Sequence, residues 1–100
     1  MTSVREVLDL LNGIAPLDLA EEWDNVGLLV GNPDAQVERA LCTLDLSAGA
    51  IARAKEIGAG LIITHHPVMF RGRKNLREDD PEGRLLCELI REGIVLIAMH

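Results

Sequence analysis

The chain has 100 residues, 48% of them hydrophobic, which fits one globular domain with a buried core. Its formal net charge of −6 and its two aromatic residues argue against a general nucleic-acid binder or a protein that binds anionic membrane surfaces. The chain shows no signal-peptide pattern and no apolar run long enough to cross a membrane, so we expect a cytoplasmic protein. Cys42 and Cys87 lie in apolar patterns and are expected to be buried, reduced thiols.

The chain begins with a pattern typical of an amphipathic helix. Ser3 and Glu6 form a capping box, in which each side chain bonds to the backbone N–H of the other residue. The apolar residues that follow recur at helical spacing, and Gly13 is expected to close the helix. Further on, the apolar run Leu28 to Val30 is ended by residues 31–34, whose glycine, asparagine, proline and aspartate favour a turn.

From residue 39 onward, the pattern alternates between strands and helices. Ser47 and Asp80 are the expected N-caps of the two helices, and a glycine follows each helix. This alternation predicts an α/β fold, with a mainly parallel sheet, right-handed crossovers and flanking helices, as a single domain over residues 1–100. The final strand is apolar throughout and is expected to be buried on both faces. The predicted elements are a strand over 39–44, a helix over 48–57, a strand over 61–64, a helix over 81–92 and a strand over 94–99.

Two adjacent histidines follow the strand over 61–64. Pro67 cannot donate to a ladder and ends this strand. Because successive side chains of a strand alternate between faces, His65 and His66 are expected to spread around one pocket and to serve two different ions. Neutral imidazole binds zinc, iron, nickel or copper. Two ligands fall short of the three or four that zinc-type sites need, and the other interpretation is a capped strand whose histidines bond to neighbouring loops.

Polar side chains follow all three strands of the predicted parallel sheet. Asp45 follows the first strand, His65 and His66 follow the second, and His100 follows the third. Because ligand sites in such sheets form at the carboxyl ends of the strands, this placement favours a metal site at that edge. A metal there would lower the pKa of a bound water molecule and generate hydroxide, a step that needs a base, and Asp45 is the nearest candidate base by sequence. Asp45 is equally well interpreted as an acid that interacts with the amino terminus of the next helix.

A cluster of basic residues follows the histidines in this acidic chain. Arg71, Arg73, Lys74 and Arg77 fall in one loop, and arginine is suited to bidentate contacts with phosphate. One hypothesis is therefore a phosphate-binding loop near the pocket. The alternative, which charge runs favour in general, is a solvated surface loop balanced by the acids at 78–80.

A polar segment around the single tryptophan precedes the apolar run at residue 28. Trp23 is expected to pack at an edge of the core. Asp24 and Asn25 either satisfy a turn or lie at the edge of the metal site, where they support its ligands.

Three segments of the chain, Glu22–Gly31, Leu44–Ser47 and Ile63–Pro67, share their order and spacing with a known family. Together they resemble the Nif-three-like family, also called the GTP cyclohydrolase I type two homologues. The resemblance implies an α/β fold that holds two divalent metal ions (zinc, iron, manganese or nickel) in a cleft, with His65 and His66 as ligands, one toward each ion. It also implies ring-shaped homohexamers and metal-dependent hydrolysis of a nucleotide-like small molecule.

The resemblance further implies that this chain lacks part of the site. Family members are much longer, and their remaining ligands follow the position that matches His100. We therefore expect His100 at the edge of the site, and the chain itself as the inactive amino-terminal half of a two-metal protein. Its uncovered sheet edge predicts self-association. Two other functions are compatible with the sequence: a non-catalytic, metal-binding, ring-forming scaffold or regulatory module, and a plain α/β domain that binds no metal.

Overall fold

The computed structural model describes residues 2–14, 27–66 and 75–99. Strands and helices alternate from residue 40 onward, as the sequence predicts. None of the described helices is long and apolar enough to span a membrane. The elements are, in chain order, β1 (Thr2–Ser3), α1 (Val4–Ile14), β2 (Gly27–Val30), β3 (Gln36–Val37), β4 (Ala40–Thr43), α2 (Ala48–Ile57), β5 (Leu61–Thr64), α3 (Pro81–Glu92) and β6 (Val95–Ala98).

The main sheet has four strands in the order β2-β6-β5-β4. Strands β4, β5 and β6 are parallel, so that Thr43, Thr64 and Ala98 lie in one row near their carboxyl ends. Strand β2 pairs with β6 in the antiparallel direction at the opposite edge, and β1 and β3 form a separate antiparallel pair. The prediction of an α/β fold with a mainly parallel sheet and flanking helices is therefore confirmed.

Both faces of the main sheet carry a hydrophobic core. Helices α2 and α3 pack on one face, and α1 packs on the other together with β3. Side chains of β6 alternate between these clusters, with Leu96 in the first and Val95 and Ile97 in the second. All four residues of β6 are buried, which confirms the prediction for the final strand. Apolar side chains on both faces are what an interior position in such a sheet requires.

The two crossover helices begin and end where the sequence indicates. Ser47 and Asp80 are the N-caps, and each side chain accepts a hydrogen bond from the first turn of its helix. Gly58 and Gly93 end these helices with left-handed φ angles of 73° and 67°, which residues with a Cβ disfavour. These local signals set the lengths of both crossovers and hence the points where β5 and β6 begin.

The first helix starts as predicted but ends later. Ser3 Oγ accepts a hydrogen bond from the backbone N–H of Glu6, and Glu6 Oε1 accepts one from the backbone N–H of Ser3, so the capping box is confirmed. The prediction that Gly13 closes the helix is wrong, because α1 continues to Ile14. Gly13 does not have the positive φ found at Gly58 and Gly93, and that backbone geometry is what makes glycine a helix terminator.

The prediction that both cysteines are buried is wrong for Cys42, which is exposed. Cys42 lies in β4, at the edge of the described sheet. Among the described residues, the core cluster beneath α1 includes none from β4. Cys87, in α3, is partly buried. The apolar pattern of residues 39–44 therefore predicted a strand without indicating that the strand lies at an edge.

Candidate functional site

The carboxyl ends of β4 and β5 lie side by side at one edge of the sheet. In the last paired row, Thr43 is opposite Thr64. The backbone contact continues beyond the strands, since the N–H of His65 donates to the Thr43 carbonyl at 3.1 Å and the N–H of His66 donates to the Leu44 carbonyl at 2.9 Å. These two hydrogen bonds hold the end of β4 and the residue that follows it next to the two histidines.

Asp45 and His66 are in direct contact at this edge. His66 Nδ1 lies 2.8 Å from Asp45 Oδ1, in a hydrogen bond between residues 21 positions apart in the chain. Both side chains are accessible to solvent, with 48% of the His66 side chain and 68% of the Asp45 side chain exposed. The contact therefore belongs to a surface that a ligand can reach and not to the core.

The rings of His65 and His66 lie next to each other. Their centroids are 4.9 Å apart and the ring planes are inclined by 52°. Strand β5 ends at Thr64, so the alternation of side chains between faces does not extend to the two histidines. The sequence predicted that the two imidazole rings would be spread further apart than they are. In two-metal sites the ions lie about 3.5–4 Å apart. Two adjacent imidazole rings, each bound to a different ion, are compatible with that distance.

The donor chemistry of this group fits a transition metal. Imidazole nitrogen is a ligand for zinc, iron, nickel and copper, and a carboxylate commonly accepts a hydrogen bond from the second nitrogen of a ligating histidine. Within the described ranges, no group of three or more histidine, cysteine, aspartate or glutamate side chains is placed to hold a metal. The described residues can thus supply two ligands and one orienting carboxylate, and a complete site needs ligands from outside these ranges.

Of the predicted site residues, the structure places Asp45, His65 and His66, and it brings these three together. The remaining predicted site residues lie outside the described residues, and what the sequence indicates for them stays a prediction. They are Asp24, Asn25, Arg71, Arg73, Lys74 and His100.

Arg77, a described member of the basic loop, forms an ion pair with Asp79. Its Nε and Nη2 atoms donate to the two carboxylate oxygens of Asp79 at 2.9 and 2.6 Å. Both side chains are largely exposed. For this residue, the arrangement agrees with the interpretation of a solvated, charge-balanced loop, because donors that meet a carboxylate are not directed at a phosphate.

Thr64 is a residue of this region that the sequence interpretation did not single out. It is fully buried, and its Oγ1 has no hydrogen-bond partner among the described residues. Burying a hydroxyl without a partner costs free energy, which distinguishes Thr64 from the apolar residues of β5. The signal in the sequence is a polar residue that closes an apolar strand directly before the two histidines.

Comparisons with known proteins identify relatives of the chain. Residues 2–100 match the family model described as Duf34/NIF3 (NGG1p interacting factor 3). The chain is 40% identical over 97 residues to a Staphylococcus epidermidis protein named GTP cyclohydrolase 1 type 2 homolog, and 38% identical over 100 residues to a Helicobacter pylori protein named GTP cyclohydrolase 1 type 2. The crystal structure of Staphylococcus aureus protein SA1388 matches with a TM-score of 0.93 and 38% identity, over 99% of this chain and 28% of that chain.

These matches cover nearly all of this chain but a minor part of each relative. The alignments include 97% and 100% of the chain, which spans 26% of the S. epidermidis protein and 40% of the H. pylori protein. The resemblance carried by residues 22–31, 44–47 and 63–67 points to the same family as the model match. The chain belongs to the Duf34/NIF3 (NGG1p interacting factor 3) family.

Proposed function

We propose that this chain binds divalent metal ions through His65 and His66 and forms part of a metal-dependent hydrolase. The observation that carries the proposal is the pair of adjacent imidazole rings, with centroids 4.9 Å apart, directly after the carboxyl end of β5. Sites in open parallel sheets form at this edge. The donor chemistry suits zinc, iron or nickel, and the family resemblance adds manganese.

The residues of the chain hold and orient the proposed ligands. When bound, the metal would polarise the bond under attack and activate a water molecule. Backbone hydrogen bonds from His65 to Thr43, the last residue of β4, and from His66 to Leu44, directly after it, hold the backbone of both histidines at the sheet edge. Asp45 lies against His66, so a carboxylate is available next to the ligands. The exposure of Asp45 and His66 leaves the pair accessible to a substrate.

The substrate class that we propose is a nucleotide-like small molecule. Support comes from the H. pylori relative, which is named GTP cyclohydrolase 1 type 2 and is 38% identical to this chain. Because the chain spans 26% to 40% of its relatives, the proposal concerns the complete gene product, in which residues outside this chain would supply further ligands and substrate contacts.

Metal content tests the proposal first. The complete gene product and its His65→Ala/His66→Ala double variant are purified, reconstituted in turn with Zn²⁺, Fe²⁺, Mn²⁺ or Ni²⁺, and measured by elemental analysis. Asp34→Asn is the matched control, because Asp34 is an exposed carboxylate that pairs with Arg5 of α1 and not with the histidines. We expect bound metal in the wild type and the control, and loss of metal in the double variant.

Either of two results would contradict this expectation. Equal metal content in all three proteins would show that the ligands lie elsewhere. No metal in the wild type would leave the two histidines as strand-end residues of a plain α/β domain. If the expected pattern is found, hydrolysis of nucleotides and phosphoesters by the reconstituted wild type is compared with the same concentration of free metal.

A second candidate function is a homohexameric, metal-binding scaffold without turnover. The edge position of β4 favours it, because Leu44, directly after this strand, is 64% exposed and strand edges promote association with another chain. A hexameric mass by light scattering together with metal binding, but with no hydrolysis above the free-metal rate, would support the scaffold. The mass measurement is repeated with Leu44→Ser and with the control Ile90→Ser, which changes a similarly exposed apolar residue on α3.

A further inference from the structure

The hydrogen bond between Asp45 and His66 has a defined direction. An ionised carboxylate only accepts hydrogen bonds, so the 2.8 Å contact between Asp45 Oδ1 and His66 Nδ1 requires a hydrogen atom on Nδ1. In a neutral imidazole with that hydrogen, the lone pair is on Nε2. The carboxylate therefore determines which nitrogen of His66 is able to bind a metal.

Backbone contacts place the two side chains for this interaction. The N–H of His66 donates to the carbonyl of Leu44 at 2.9 Å, and Leu44 immediately precedes Asp45. The carboxylate thus lies beside the ring because the contact between β4 and β5 continues past both strands. The pair is about half to two-thirds exposed, and exposed contacts of this kind contribute little to stability whether or not the imidazole is charged.

The sequence indicates two alternative roles for Asp45. It is either a base or an acidic residue that interacts with the amino terminus of α2, and the contacts of the described residues can be compared with each role. The first turn of α2 is capped by Ser47, whose Oγ accepts a hydrogen bond from the N–H of Ala50 at 3.0 Å. The Asp45 carboxylate, in contrast, accepts from the imidazole of His66. This geometry favours a third role, in which Asp45 acts through the histidine.

We propose that Asp45 is a positioning residue of the metal site, which accepts the Nδ1–H of His66 and thereby presents Nε2 to the metal ion. The inference rests on the proposed function, because it assigns Asp45 a role within that site. A carboxylate behind a ligating histidine fixes the tautomer and the orientation of the ring, and its loss typically weakens metal binding about 10- to 100-fold.

The tautomer of His66 tests the proposal without any metal. In the chain labelled with nitrogen-15 histidine, NMR correlations between ring nitrogens and carbons report which nitrogen carries hydrogen. The His66→Ala variant, in which the His66 signals are lost, distinguishes them from those of His65 and His100. We expect the Nδ1–H form in the wild type and in the Asp34→Asn control. Asp45→Asn is expected to give a mixture of both tautomers, because an amide both donates and accepts. A tautomer that is unchanged by Asp45→Asn overturns the proposal.

The affinity of the complete gene product for Zn²⁺ is the second readout, measured by competition with a chelator. Asp45→Asn is expected to weaken Zn²⁺ binding about 10- to 100-fold. Asp45→Glu keeps a carboxylate and is expected to lose less affinity than Asp45→Asn. The control Asp34→Asn is expected to bind Zn²⁺ like the wild type. If Asp45→Asn binds like the wild type while His66→Ala does not bind, the positioning role is overturned and the metal site stands. If the wild type does not bind Zn²⁺ or the other proposed ions, the proposed function fails, and the role of Asp45 fails with it.

Discussion

Two strands of the same sheet, β4 and β6, have apolar sequences and opposite surroundings. Strand β6 lies between β2 and β5, and all four of its residues are buried. Strand β4 lies at an edge of the sheet that the described residues form, and its own residues alternate between exposed and partly buried. The segment after β4 brings Asp45 against His66 in an exposed contact. The difference shows that the interior strand carries the core, whereas the edge strand leaves its carboxyl end accessible to ligands.

The largest predicted effect on the free energy of unfolding comes from a substitution in β6. Leu96 is fully buried, so Leu96→Ala is expected to lower the free energy of unfolding by about 2–5 kcal/mol, through lost apolar burial and the cavity left behind. Urea denaturation followed by circular dichroism measures this change. The matched control is Leu41→Ala in β4, where the leucine is partly buried and a smaller loss is expected. Equal losses at both positions would contradict the contrast between the strands.

The second-largest predicted effect on stability comes from a substitution in the turn after β2, where an added side chain would clash with β6. Gly31 has a φ of 112°, and a Cβ at this position would lie 2.8 Å from Val95 Cγ2. Gly31→Ala is therefore expected to lower the free energy of unfolding by about 1–3 kcal/mol. Gly13→Ala, in α1, places its Cβ more than 4 Å from the described neighbours and is expected to raise it by about 0.5–1 kcal/mol. Thermal unfolding measures both variants. If the two substitutions shift the melting temperature in the same direction, this pair of predictions is refuted.

Substitutions of the N-cap residues are expected to have intermediate to small effects on the free energy of unfolding. Ser47→Ala and Asp80→Ala each remove a hydrogen bond to a first-turn N–H, at 3.0 Å in α2 and 2.9 Å in α3. Each is expected to lower the free energy of unfolding by about 0.5–2 kcal/mol, with the larger loss at Asp80, whose hydrogen bond is partly buried. Urea denaturation compares them with Ser47→Thr, which keeps the capping hydroxyl. A loss in Ser47→Thr as large as in Ser47→Ala would argue against the capping role.

The smallest predicted change in stability is at Cys42. Because Cys42 is exposed, Cys42→Ala is expected to change the free energy of unfolding by less than about 0.5 kcal/mol. A thiol reagent is expected to react with Cys42 faster than with the partly buried Cys87 in the native chain. Cys42→Ser and Cys87→Ser assign the two rates. Faster reaction at Cys87 would mean that β4 is covered in solution and would remove the contrast with β6.

The parts of the fold that the sequence predicted best are those set by short-range chemistry. Ser47 and Asp80 mark the starts of the crossover helices, and Gly58 and Gly93 mark their ends, because caps and left-handed residues act on backbone groups a few positions away. Strand order depends on packing between distant segments. The sequence therefore did not predict that β2 joins β6, or that Cys42 lies at an exposed edge.

The candidate site divides in the same way. The alternation of strands and helices was sufficient to predict that Asp45, His65 and His66 share one edge of the sheet, because parallel strands end on the same side. The hydrogen bond from His66 to Asp45 agrees with the alternative in which the histidines bond to neighbouring loops, but its partner was not predicted, and neither were the adjacent rings. Both depend on the point at which β5 ends and on the backbone bonds beyond it, which no local pattern specifies.

The central place of β6 also determines the order in which this part of the protein is able to fold during synthesis. Of the described strands, β6 is made last, yet β2, made much earlier, pairs with it, and α1 packs in the cluster that contains Val95 and Ile97. Pairing between segments far apart in the chain slows folding, and strands that lack a partner in the meantime are prone to aggregate. The β4–α2–β5 unit is able to pair before β6 is made, whereas the surface on which α1 packs stays incomplete until β6 emerges.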